Sequence, residues 1–289
     1  MSCFCDCIPS IGQVIFTLVT FYLLKFAYCY YKASCCSKQA PKLHKQDWKK
    51  DIVYLYQFPR SSNLPNLSPF CLKLEAFLRL HEIKYEPMFT FSGRSEKGKL
   101  PFIELNGEHI ADSQLIILHL KKYFNIQDKL TNEQKAIERA FDRLIDSSFF
   151  NAANWLKVRD NFPEFVGSIL SLQFGKSLDF LKYVLAPFLM IKIKNRYETE
   201  GTAKHSDEEI MTILRNDLQA IETYLGDKEY FFGDQPSQID IEVFAHVAAI
   251  YYVPYHHLSK ELVESEFPKI LKHTQKVAKK FFSEFKFDL

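Results

Sequence analysis

Hydrophobic positions beyond residue 50 recur with two periods. Ile52-Val-Tyr-Leu-Tyr-Gln-Phe58 is dense in β-branched and aromatic residues and predicts a first strand. Pro59 to Pro69 holds prolines, asparagines and serines, the composition of a loop. Phe70, Cys71, Leu74, Phe77 and Leu78 then recur at helical spacing from a start at Ser68-Pro69. Tyr85 to Phe91 predicts a second strand. Phe102 to Leu105 and Glu108 to Ile110 flank Asn106-Gly107, a pair that tolerates the positive φ of a two-residue hairpin turn. Asp112-Ser113 stands before the apolar helical run Leu115 to Leu120, where a capping group is wanted.

The remainder reads as helix. Ile137, Ala140, Phe141, Leu144, Ile145, Ser148 and Phe149 lie on one face of a helix from near Asn132. Phe165 to Ile193 is apolar and broken by Pro187. Lys182 and Lys192 bracket only nine residues, which predicts a buried or groove-lining helix rather than a membrane span. Gly201 to Ser206 is a polar break before a helix running through Leu225. In Phe231-Phe-Gly-Asp-Gln-Pro-Ser-Gln-Ile-Asp240, Ser237 is placed to cap the next helix and Asp240 to reach back to it. Ile241, Phe244, Val247, Ala248 and Tyr251 bury that helix.

Residues 1–50 differ in kind. Ile8 to Tyr31 is mostly apolar with Lys25 as its only charge, and the stretch from Ile11 to Tyr31 is long enough to span a bilayer. Lys32, Lys38, Lys42, Lys45, Lys49 and Lys50 follow it. The positive-inside rule then predicts a single-pass membrane protein with its folded body in the cytosol, and leaves the organelle open, endomembrane and lysosomal membranes among the candidates. Ala33 to Lys50 reads as a polar, basic linker. The domain boundaries expected are thus 1–50 for anchor and linker, 51–127 for a sheet-containing domain and 128–289 for a helical one.

Six of the seven cysteines fall within the first 36 residues, leaving Cys71 alone in the body, so no disulfide can form there. Cys3-Phe-Cys-Asp-Cys7 has soft-metal chemistry, but three thiols without a fourth ligand do not make a site, and no metal is assigned. A formal charge of +2 over 289 residues gives no reason to expect nucleic acid as a partner. The 27 Phe and 15 Tyr predict an aromatic core and an apolar groove.

The order strand, helix, strand, hairpin, helix, with Leu100-Pro101 before the hairpin and Asp112-Ser113 after it, resembles the thioredoxin-like half of a glutathione transferase. The Ser237 to Asp240 opening resembles the central helix of that family's all-helical C-terminal domain. Leu67-Ser-Pro-Phe-Cys-Leu-Lys-Leu-Glu75, Lys204-His-Ser-Asp-Glu-Glu-Ile210 and Gly233 to Asp240 are similar to the branch holding the failed-axon-connections proteins, the nematode cadmium-responsive proteins and the metaxins. The fold class implied is a thioredoxin-like α/β domain followed by an all-α domain, with an N-terminal anchor helix.

By this resemblance Leu100, before a cis Pro101, pairs its backbone with glutathione, and Asp112 and Ser113 hold the γ-glutamyl end. Ser68 is the candidate hydroxyl for the sulfur, with Tyr56 as the alternative, because a donor near a helix N-terminus stabilises a thiolate. Ser68 stands where redox relatives carry the first cysteine of Cys-Pro-x-Cys, which excludes two-cysteine disulfide exchange. The branch implies a cadmium or stress response and detoxification, with a small apolar electrophile as second substrate and a possible homodimer. It equally implies a non-catalytic interaction protein that holds a protein partner, as in axon development. The residues leave both readings open.

Overall fold

The computed structural model describes residue 20 and residues 43–287, apart from 62, 92, 175–178 and 181. Residues 43–289 form one compact unit separate from residues 1–42. The predicted anchor at residues 8–31 and the N-terminal cysteines therefore lie outside the described residues. Among the described residues no helix is long and apolar enough to cross a membrane. This overturns the expectation of a single-pass protein with an anchored body. The remaining long apolar run, around Pro187, is interrupted by Lys182, Lys192 and Lys194 and belongs to the folded unit.

The sheet holds β1 (Val53–Gln57), β2 (Tyr85–Phe89), β3 (Phe102–Leu105) and β4 (Glu108–Ala111) in the order β2-β1-β3-β4. β1 and β2 run parallel, joined by α1 (Pro69–Leu80); β3 and β4 are antiparallel to β1 and to each other. Asn106 at φ 51° and Gly107 at φ 83° make the hairpin turn, so the register Leu105 to Glu108 is fixed by a pair that accepts positive φ. α2 (Ser113–Tyr123) follows directly.

Alternation along the strands divides the residues between two faces. Val53, Leu55, Ile103 and Leu105 pack with Leu72, Phe77, Ile116 and Leu120 of α1 and α2. Tyr54, Tyr56, Phe102 and Ala111 form a second, smaller cluster. No helix is seen between β2 and β3 among the described residues, and residues 43–50, expected as linker, lie against this second cluster instead. The His44 ring sits 5.2 Å from Tyr56 and 5.4 Å from Phe102, and the Lys49 amide donates to Tyr54 Oη at 2.9 Å. Glu104 fastens the segment: its carboxylate accepts the His44 amide at 2.7 Å, the Lys45 amide at 2.9 Å and the Tyr56 hydroxyl at 3.0 Å. A buried carboxylate needs such donors, and the chain wraps back to supply them.

The helical part begins with α3 (Asn132–Arg143), opened by a capping box between Thr131 and Gln134. A π turn over Leu144–Phe149 leads into α4 (Phe150–Asp160), so the expected single helix face is broken by one wide turn. Next come α5 (Phe162–Phe174), α6 (Lys182–Glu200) and α7 (Asp207–Leu225), the last capped by Ser206 and Glu209. The chain closes with α8 (Gln238–Tyr251), α9 (Leu258–Glu266) and α10 (Pro268–Phe281).

α8 is buried along almost its whole length. Ile241, Phe244, Ala245 and Ala248 join the sheet-side core, while Val243, Val247 and Ile250 join the helical core. Asp240 Oδ2 accepts the Ser237 amide at 2.7 Å and its hydroxyl at 2.6 Å, as the motif predicts. Its Oδ1 additionally accepts the Phe231 amide at 3.0 Å and faces His273 Nε2 at 2.8 Å. α6 departs from expectation. Only Lys182, Ala186 and Tyr197 are buried, and its apolar outer face is exposed instead of lining a groove.

Candidate active site

The loop from β2 to β3 delivers Leu100 and Pro101 to the start of β3, with the Leu100–Pro101 bond cis. The Leu100 side chain packs on Tyr54, Tyr56 and Phe102. No hydrogen bond from the Leu100 amide or carbonyl to the protein is found among the described residues. Its backbone is therefore available to an extended peptide.

At the other end of the hairpin, Asp112 is held at φ 87°, ψ 119°, a conformation unfavourable for a residue with a side chain. Asp112 Oδ1 accepts both the Gln114 amide at 3.1 Å and the Leu115 amide at 3.2 Å. Its Oδ2 has no protein partner among the described residues. Ser113 is the first residue of α2, and its amide and hydroxyl likewise have no protein partner among the described residues. A helix N-terminus with unused donors beside a free carboxylate oxygen suits the α-carboxylate and ammonium of one amino acid.

Ser68 caps α1, its Oγ accepting the Cys71 amide at 3.5 Å, and its own amide donates to Asn66 Oδ1 at 3.0 Å. Asn66 in turn donates to the Phe58 carbonyl at 2.8 Å, which ties this loop to the end of β1. The Ser68 side chain also hydrogen-bonds the Cys71 thiol. Cys71 is fully buried, and burial pushes its thiol up to about 12. It stays a neutral core residue. Tyr56 stacks on Phe102 at 4.4 Å, and burial followed by the Glu104 carboxylate raises its hydroxyl pKa. Its proton is directed at Glu104.

A polar cluster went unread in the sequence. Lys73 of α1 is fully buried, with Nζ 2.6 Å from Glu242 Oε1 and 2.8 and 2.9 Å from the two Asp146 oxygens. Gln114 of α2 donates to Asp142 and, at 3.1 Å, to Asp146, so the residue next to Ser113 is tied to the same cluster. Burial opposes the Lys73 charge, but Glu242 and Asp146 outweigh it and raise its pKa. Burial pushes the Glu242 carboxyl well up against the pull of Lys73. Asp146, Glu242 and His246 also bring three metal-type ligand atoms together, yet the cation these carboxylates face is the Lys73 ammonium. The available signal was charge within apolar runs: Lys73 between Leu72 and Leu74, and Glu242 and His246 within α8.

Two family models match the chain. The glutathione S-transferase N-terminal domain matches residues 69–164, and the glutathione S-transferase C-terminal domain matches residues 214–277. Failed axon connections of Drosophila melanogaster is 34% identical over 274 residues, covering 88% of this chain and 63% of its own length. The chain thus spans less than two thirds of that relative. Human metaxin-2 is 24% identical over 209 residues, covering 71% of this chain and 79% of that protein. Among solved structures, a glutathione S-transferase of Ceriporiopsis subvermispora in complex with glutathione superposes with a TM-score of 0.54 at 17% identity, covering 78% of this chain and 96% of that one. Matched in both halves of its fold and aligned along most of its length, the chain belongs to the glutathione transferase-like superfamily, in the branch of the failed-axon-connections proteins and metaxins.

Proposed function

We propose that this chain binds glutathione along Leu100 and the start of α2, and that Ser68 places the sulfur for conjugation to an apolar electrophile. The observation that carries the reading is the α2 N-terminus. Asp112 is kept in an unfavourable backbone conformation, and the result is an open amide and hydroxyl on Ser113 beside an open carboxylate oxygen. Strain of this kind is maintained where a ligand uses it. Ser113 takes the γ-glutamyl carboxylate, Asp112 Oδ2 its ammonium, and the Leu100 amide and carbonyl the cysteinyl backbone. Ser68 donates its hydroxyl hydrogen to the sulfur, aided by the positive end of α1. Glutathione supplies the nucleophilic thiol. On this reading residues 51–127 form the peptide-binding domain, 128–289 supply the aromatic wall for the electrophile, and the role is detoxification under cadmium or other stress.

The test is retention of the full chain on immobilised glutathione, followed by conjugation of a chlorodinitrobenzene. Ser113→Ala and Asp112→Asn, the latter still able to cap α2, are expected to weaken retention at least tenfold. Ser68→Ala is expected to keep retention and lose turnover. Absence of retention in the unmodified chain overturns the reading in favour of a partner-holding scaffold. Retention without turnover leaves a glutathione-binding protein that is not a transferase.

A further inference from the structure

We infer that the outer face of α6 is a docking surface for an anionic lipid bilayer, with the helix lying on the membrane rather than crossing it. Seven of the twelve exposed large hydrophobic side chains among the described residues fall between Phe180 and Ile191. Phe188 is 72% exposed, Tyr183 65%, Ile191 61% and Val184 57%. Ala186, Met190, Ile193 and Tyr197 face the helical core, so the opposite face has no protein partner among the described residues. A contiguous apolar surface of this size marks a binding site. It lies between residues 164 and 214, outside both matched family segments.

Charge selects the occupant. Residues 180–197 contain no Asp or Glu, and the apolar face runs into exposed Lys192, Lys194 and Arg196, of which Lys194 is paired with Glu198 at 3.6 Å. At the other end the Lys182 ammonium is neutralised by Glu164 and Asp179, each at 3.0 Å. The acids nearest the face are thus each engaged with a lysine, and a second copy of α6 laid on the first would bring Lys192 and Arg196 no unpaired carboxylate from residues 179–198. Phosphate headgroups supply that charge, and an apolar face rimmed by cations is the pattern of helices that lie in the bilayer interface.

The test is flotation of the full chain with phosphatidylcholine vesicles, with and without phosphatidylserine. Binding is expected to rise with phosphatidylserine, to fall about fivefold for each of Lys192→Gln and Arg196→Gln, and to be lost in Phe188→Glu/Ile191→Glu. All four side chains are exposed, and an unchanged circular dichroism melt checks that the variants fold. Because residues 8–31 are also apolar, the comparison is between variants and parent. Undiminished flotation of Phe188→Glu/Ile191→Glu overturns the inference. So does loss of self-association in that variant by sedimentation, with flotation unchanged, which would make the face an interface between copies.

Discussion

Removing the Lys73 ammonium isolates a buried cation that touches both halves of the fold. Nζ is within 2.9 Å of three carboxylate oxygens, and neither Lys73 nor Glu242 has any exposed side-chain surface. In Lys73→Met the side-chain volume is nearly kept, so the loss is electrostatic. Asp146 retains Arg143 at 2.8 Å and Gln114, but Glu242 loses the Lys73 ammonium and keeps Asp146 beside it. Deleting one member of a buried pair costs about 3–5 kcal/mol, and the low end applies here because burial lets Glu242 take up a proton in place of the lost ammonium. For a unit of this size that corresponds to a fall in Tm of roughly 2–4 °C per kcal/mol. Glu242→Gln alone is expected to cost only about 1 kcal/mol, since burial already favours the neutral form of that carboxyl and Lys73 keeps Asp146. The double variant Lys73→Met/Glu242→Gln is then expected to recover most of the loss, a non-additivity of about 2 kcal/mol or more. Urea unfolding of the four proteins, followed by circular dichroism, measures the cycle. A cost below about 1 kcal/mol for Lys73→Met, or a double variant no more stable than the single, refutes the reasoning.

Glu104→Ala is expected to release residues 43–50 and to cost about 2–3 kcal/mol, since three donors lose a charged acceptor; faster limited proteolysis near residue 45 would show it. Asp240→Ala strips four contacts from one buried carboxylate and is expected to cost about 3–5 kcal/mol in the same urea assay, with Asp240→Asn in between. Glu138 supplies a pH signature. Burial pushes its carboxyl from the usual 4.5 up to about 7, so the folded state keeps a proton that the unfolded chain releases. Its contribution is fully present below pH 4.5 and is lost as pH rises through 7, and Glu138→Gln is expected to flatten the stability profile across that window.

Local chemistry made much of this fold legible. The Asn106-Gly107 turn, the Ser68 and Asp112 caps and the Ser237–Asp240 opening are each settled by residues two to four positions apart, and the structure builds all of them. What escaped was long-range pairing. Glu104 reads as an ordinary strand residue until the amides 59 and 60 positions earlier arrive on it. Lys73 finds its partners 73 and 169 positions later. In the candidate site the residue types were evident, but the division of labour was not. Which Asp112 oxygen caps and which stays open, and where the Tyr56 proton goes, depend on how the hairpin packs. The face of α6 misled for the opposite reason: apolar composition predicts burial, and only the neighbouring helices show which side is covered.

A helix with no solvent side binds the fate of its two neighbours together. Because α8 gives Phe244 and Ala248 to one core and Val243 and Val247 to the other, neither half can melt and leave an intact partner behind. The chain should therefore lose structure in a single cooperative step, and either half expressed by itself should fail to hold a native shape. The binding of a peptide at the sheet would then be felt as extra thermal resistance in the helices beyond it.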